Sequence, residues 1–198
     1  LRATLPPNAV FGAFDDHDLG VNDGGARYEH RAAAQRIFLD FLDEPPESKR
    51  RSQDGLYSSH WVGGGDKPSI HLLLLDVRYN QSPAGGPDDA EILGSAQWKW
   101  LEQELRRPPP SGVPPAATVV LSTLPVVADR LGVGEGWQHF PQQRTRLLRL
   151  LAGSGRPGVV LLSGDIHLAE LSLLTCDSVG GGGGLEQVCR NQTLRSLF

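Results

Sequence analysis

Methionine does not occur in this chain of 198 residues, and the first residue is Leu1. The chain is therefore expected to lack its own initiator, with an upstream part removed or left out. No uninterrupted apolar run reaches the roughly 20 residues that a membrane-spanning helix requires. A membrane segment is not expected in it. Basic residues form no stripe, since 19 Lys plus Arg are dispersed among 23 Asp plus Glu for a net charge of -4. A nucleic-acid binding surface is accordingly not evident. Cysteine is scarce: Cys176 and Cys189 flank the run Gly180 to Gly184, a spacing that permits a disulfide without requiring one. Asn191-Gln192-Thr193 is a glycosylation sequon. Both features acquire meaning only on a secretory route, so secretion stays open as one localisation.

The length suffices for one domain with a sizeable core, or for part of a larger one. Between Gly25 and Asp43, Ala34, Ile37, Phe38 and Phe41 recur at helical spacing, and Pro45-Pro46 forbids continuation. That predicts one amphipathic helix. Gly55 to Val62 reads as a short strand, and Ile70 to Leu75 is a near-continuous apolar run, the pattern of a strand buried on both faces. Ser95 can cap a helix in which Trp98, Leu101 and Leu105 share a face before Pro108-Pro109-Pro110 stops it. Thr118 to Leu121 reads as a buried strand, Pro141 to Leu151 as a helix, and Val159 to Leu162 as the next buried strand. Leu168 to Thr175 adds a last one. Strands and helices in alternation predict an α/β architecture.

Polar residues converge in three places. Asp15-Asp16-His17-Asp18 with Asn22-Asp23 supplies carboxylates, an imidazole and an amide in one short stretch, a donor set for a divalent cation. The alternative is an acidic loop stabilising the start of a helix. Ser163-Gly164-Asp165-Ile166-His167 follows an apolar strand, and ligands of open α/β sheets bind beyond the carboxyl ends of strands. If that segment is extended, Asp165 and His167 fall on one side. The alternative is a strand-end turn with a buried histidine. Asp76-Val77-Arg78 stands at another strand end, where Arg78 either clamps a phosphate oxygen or pairs with Asp76. His139, with Trp137 and Glu135, lies in a loop that either lines a pocket or packs. His30, His60 and His71 read as structural.

Taken in order, Asp15 to Asp23, Leu75-Asp76-Val77-Arg78, Leu93 to Glu102 with its Gly-Ser-Ala-Gln-Trp sequence, Gly136-Trp137 with Pro141 and Arg144, and Ser163 to Glu170 resemble a PhoD-like metallophosphatase. The resemblance spans residues 11 to about 175. Such proteins belong to the calcineurin-like metallophosphoesterases, which implies a four-layer sandwich of two packed sheets flanked by helices, with a dimetal centre at the strand ends. By this resemblance Asp16, Asp165 and His167 are candidate metal ligands, Asn22 is a further candidate ligand or a phosphate contact, and His17 protonates the leaving oxygen. Asp18 orients His17, and Arg78 contacts substrate phosphate. Two earlier motifs, one with the Asp that bridges the metals, have no match here. The resemblance thus implies that residues 1–175 are the C-terminal part of the catalytic domain, its N-terminal portion missing, and that 176–198 are a Gly-rich tail of unknown structure.

The implied activity is hydrolysis of a small phosphate ester, mono- or diester, by two cations about 4 Å apart that activate water and neutralise charge. Calcium, iron, manganese and zinc are the candidate ions. Two other readings stay open: an inactive fragment or pseudoenzyme with residual metal binding, and a calcium-binding interaction domain.

Overall fold

The computed structural model describes residues 10–65, 67–83, 90–127, 134–167, 170–179 and 186–194, with backbone alone for 175–179 and 186–194. Four strands form the main sheet: β1 (Ser58–Gly63), β2 (Ser69–Leu74), β3 (Ala117–Leu121) and β4 (Val159–Leu162). They lie in that order, β1 antiparallel to β2, and β2, β3 and β4 mutually parallel. The parallel steps are bridged by helices α3 (Gly94–Arg106) and α4 (Pro141–Gly153). Two short helices precede the sheet, α1 (Asp16–Leu19) and α2 (Arg31–Phe41). Strands β5 (Leu171–Val179) and β6 (Glu186–Leu194) form a separate antiparallel pair.

Helices α3 and α4 cover one face of the sheet because their apolar residues fall on single stripes. Trp98, Leu101 and Leu105 of α3 and Leu147 and Leu151 of α4 are buried against Leu73, Leu75 and Val120. Ser95 does not cap α3: the helix starts at Gly94, whose φ of +75° and approach to the Asn80 side chain exclude a Cβ, and Ser95 falls inside the first turn. A second core, of Phe14, Leu19, Leu39, Leu56 and Tyr79, anchors α1 and α2. In α2 the buried positions are Gln35 and Leu39; of the expected stripe, Ala34 and Phe38 pack on that core, while Ile37 and Phe41 are each 69% exposed and face outward.

The strand exposures also depart from expectation. In β2, Ile70 is exposed, so burial on both faces fails at its start. In β4, Val160 is 44% and Leu162 49% exposed. Register aligns these two with Val119 and Leu121 of β3 on the face opposite the helices. No described element covers that apolar face along β4. The β5–β6 pair crosses residue 175 and sets Cys176 opposite Cys189 in backbone register. The side chains that decide the disulfide lie outside the described residues. No helix among the described residues is long and apolar enough to cross a membrane.

Candidate metal centre

The carboxyl ends of the parallel strands meet the loop from Phe14 to Asp23. That loop is pinned from both sides by Phe14 and Leu19, which are fully buried in the second core. Between them Asp15, the residue before α1, and Asp16, its first residue, face the strand ends. Thr123, just past β3, donates its hydroxyl to Asp15 Oδ1 at 3.1 Å. Asp16 is buried, and its carboxylate accepts the backbone N–H groups of His17 and Asp23, each at 2.8 Å. Burial pushes its pKa up, but those N–H groups and the Arg78 charge outweigh the effect and hold it below the ordinary value.

Arg78 is the hub. Its side chain is fully buried, with Nε on Asp15 Oδ1 at 2.5 Å and Nη1 on Glu135 Oε2 at 2.6 Å. Its Nη2 lies 3.6 Å from Asp165 and 3.9 Å from Asp16, and has no hydrogen-bond partner among the described residues. Burial acts to lower the Arg78 pKa, yet Asp15 and Glu135 raise it above its ordinary value, so the charge is fixed. The Asp76 carboxylate is not its ion-pair partner. It accepts the backbone N–H groups of Leu56, Arg78 and Tyr79, while Gln97 clamps the Asp76 backbone at 2.8 and 2.7 Å.

Two groups of carboxylates have ligand atoms within 4.8 Å of one another: Asp15, Asp16 and Asp165, and Asp16, Asp23 and Glu135. They share Asp16. Four carboxylates, those of Asp15, Asp16, Glu135 and Asp165, lie within 4 Å of the one Arg78 guanidinium, and Asp23 adds a fifth beside Asp16 and Glu135. Burial and the nearby Asp15 charge raise the Asp165 pKa, and burial raises that of Glu135 against the pull of Arg78. Carboxylates crowded in this way favour a hard, oxygen-preferring cation.

The backbone explains how these residues converge. Asp23, Asp165 and His167 have φ of +54°, +69° and +50°; the other non-glycine residue with positive φ among the described ones is Asp43. Such conformations are tolerated by Asp, Asn and His more than by most residues and cluster at functional sites. They also overturn one expectation. The 165–167 segment is a turn, not an extended strand, so alternation does not bring Asp165 and His167 to one side. Asp165 enters the cluster, whereas His167 is exposed and belongs to neither carboxylate group.

Of the other predicted residues, His17 is exposed beside Asp16. Asp18 receives the Asp15 backbone N–H at 3.2 Å, a helix-capping contact, and no hydrogen bond joins it to the His17 ring among the described residues. Asn22 is exposed, and it is the neighbouring Asp23 whose N–H and carboxylate reach Asp16. Glu135 is the residue that sequence reasoning left in a loop. Its signal was Gly134-Glu135-Gly136 before Trp137, an acid between glycines next to a residue destined for the core.

A family model described as PhoD-like phosphatase matches residues 13–189. The chain belongs to the PhoD-like phosphatase family. The match runs past residue 175, where the motifs read from the sequence end. The two acidic groups described above are of a kind that could hold a metal ion. A solved structure described as "Structure of PhoD" superposes with a TM-score of 0.58 at 19% identity, over 80% of this chain and 34% of that one. The likeness is one of fold, and this PhoD-like chain spans about a third of that protein's length. No curated protein matches it.

Proposed function

We propose that this chain carries the acidic part of a cation-dependent centre that hydrolyses small phosphate monoesters or diesters. The observation that carries this reading is the pair of three-carboxylate groups sharing Asp16 around the buried Arg78. The donors suit calcium or manganese, with iron or zinc as further candidates where an imidazole joins. When bound, such cations supply charge neutralisation and an activated water. The residues of the chain do the rest. Asp16 and Asp165 are ligands, and Arg78 Nη2 donates to a phosphoryl oxygen while Asp15 and Glu135 fix its plane. His17, exposed beside Asp16 and not tied to Asp18, hands a proton to the leaving oxygen. Asn22 and His167, exposed next to these groups, join as ligands only if their loops close inward.

The reading includes a second sheet laid on the face of Val119, Leu121, Val160 and Leu162, completing a four-layer sandwich. The support is that uncovered apolar face. A second function, cation binding without turnover, is favoured by one observation: both groups contain carboxylates alone, with the histidines outside them.

The test is steady-state turnover of a chromogenic phosphomonoester and a diester with Mn2+, Ca2+, Fe3+ or Zn2+. Expected is cation-dependent hydrolysis, lost on chelation and reduced about 100-fold or more in His17→Ala. Metal uptake without turnover selects the second function. Unchanged turnover in the His17 variant removes the proton-donor role.

A further inference from the structure

We infer that Cys176 and Cys189 close a disulfide across the β5–β6 pair, a covalent clasp on the strands that follow the turn carrying Asp165 and His167. Neither cysteine belongs to the carboxylate groups, so the bond lies beyond the hydrolytic reading and forms whether or not that reading holds. Register, residue count and topology carry it.

Strands β5 and β6 are antiparallel, with Cys176 directly opposite Cys189 and the pairing continuous on both sides, from Leu171 against Leu194 to Val179 against Glu186. Residues directly opposite in such a pair stand on one face of it, their Cα atoms about 4.5 or 5.5 Å apart according to the hydrogen-bonding class of the position. A disulfide joins Cα atoms roughly 4.4 to 6.8 Å apart. Either class of position therefore brings the two residues within reach of the bond without movement of the backbone. A slip of one residue would set them on opposite faces instead.

The sequence holds 2 cysteines. Each has a single possible partner within the chain, and the ladder aligns it with that one.

Strands β5 and β6 form a sheet of their own, separate from the four-stranded one. An isolated pair of strands is only marginally stable in water. Between the two cysteines lie Gly180 to Gly184, and glycine loses more chain entropy on ordering than any other residue. A bond between 176 and 189 removes that freedom from the unfolded chain beforehand and so favours the paired state. The sequon at Asn191, on the same strand as Cys189, has meaning in the same secretory compartments in which a disulfide persists.

The oxidant is a small-molecule disulfide. The thiolate of one cysteine attacks it, forming a mixed disulfide and expelling one thiolate. The thiolate of the other cysteine then attacks the mixed disulfide and expels the second. Two thiols are oxidised, one disulfide is reduced to two thiols, and the two protons pass to the expelled thiolates.

The 198-residue chain, purified in the reduced state, is equilibrated with reduced and oxidised glutathione and read by intact mass after alkylation. Expected is a monomer that has lost two hydrogens and takes up no alkylating agent. Its equilibrium constant with glutathione should be about tenfold or more above that of the same chain unfolded in urea, because a bond that stabilises the folded state is favoured by that state to the same degree. Val188→Cys combined with Cys189→Ser moves the thiol one register step, opposite Asp177, and should abolish the advantage. Mixed disulfides or covalent dimers in place of the closed monomer would overturn the inference, as would a shifted pair that closes as readily as the wild-type one. If the shifted variant fails to fold, the wild-type chain decides alone: a constant no higher than in urea means that the register does not bring the two cysteines together.

Discussion

Two aspartates end parallel strands of the same sheet and have opposite circumstances. Asp76, after β2, is completely enclosed, and three backbone N–H groups meet its carboxylate at 2.7 to 2.9 Å. Asp165, after β4, has a left-handed backbone, no hydrogen bond from the Arg78 nitrogen 3.6 Å away, and Asp15, Asp16 and Asp23 among its electrostatic neighbours. Burial raises the pKa of both. The difference lies in what answers the charge. Asp76 is answered by the protein itself and serves architecture, since it joins the Leu56 segment to the β2 end. Among the described residues the guanidinium paired with Asp165 is that of Arg78, which it shares with Asp15, Asp16 and Glu135. A carboxylate so placed keeps charge that a bound cation would answer, and in this it differs from Asp76, although Asp stands at both strand ends.

The largest effect expected from this contrast is on folding. Asp76→Asn puts an amide nitrogen where an oxygen accepts, so a donor faces either the Leu56 N–H or the N–H groups of Arg78 and Tyr79. With no water to take over, the loss should be on the order of 3 kcal/mol. Urea denaturation should show a lower midpoint with an unchanged slope. A loss under about 0.5 kcal/mol would dissolve the distinction between the two aspartates.

The sheet was legible because β2, β3 and β4 are short apolar runs bounded by turn residues, and because α3 and α4 carry single apolar stripes ended by Pro108 or begun by Pro141. Exposure was not legible. The run Val159 to Leu162 looks the same whether or not a layer lies on it, so an edge strand with one uncovered face reads as a buried one. Strand β6 was missed because a glycine run hides the turn and its residues are mostly polar. That Asp16 and Asp165 come together near the strand ends was legible from strand-end and motif position. The extended path of 165–167 was misread, as a left-handed turn cannot be told from an extended segment by alternation. Glu135 was read no further than as part of a loop that lines a pocket or packs, because its contact with Arg78 joins residues 57 apart in the chain.

A buried group away from the acidic cluster tests whether the contrast comes from like charge or from burial alone. His71 is fully buried, stacks on Trp61 at 4.1 Å, and lies 3.8 Å from Glu104. Burial, helped by the Arg156 charge, lowers its pKa to about 4. A histidine with a depressed folded pKa binds its proton more readily when unfolded, so stability is complete above the unfolded value of 6.5 and falls as pH drops toward 4. The expected loss is about 2 kcal/mol between pH 7 and pH 5. In His71→Phe, which keeps a ring against Trp61, that slope should flatten. A wild-type stability independent of pH over this range would show that burial leaves the imidazole unperturbed.

Asp165 should behave in the opposite sense and more weakly. Its folded pKa is raised, so ionisation is harder in the folded chain, and stability contributed by the protonated form is lost as pH rises above the unfolded carboxyl value of 3.8. Asp165→Asn removes that cost. Without metal and at neutral pH, the variant should be equal to the wild-type chain or more stable by under about 1 kcal/mol, the part-exposed setting screening the repulsion. Added Mn2+ should reverse the order, because a ligand bound only by the folded state stabilises it in proportion to the logarithm of its concentration over Kd. Thermal unfolding of both proteins with a chelator and then with Mn2+ measures the two signs. A destabilised variant in the chelator would mean that Asp165, like Asp76, is answered from within the chain, and the contrast between the two strand ends would collapse.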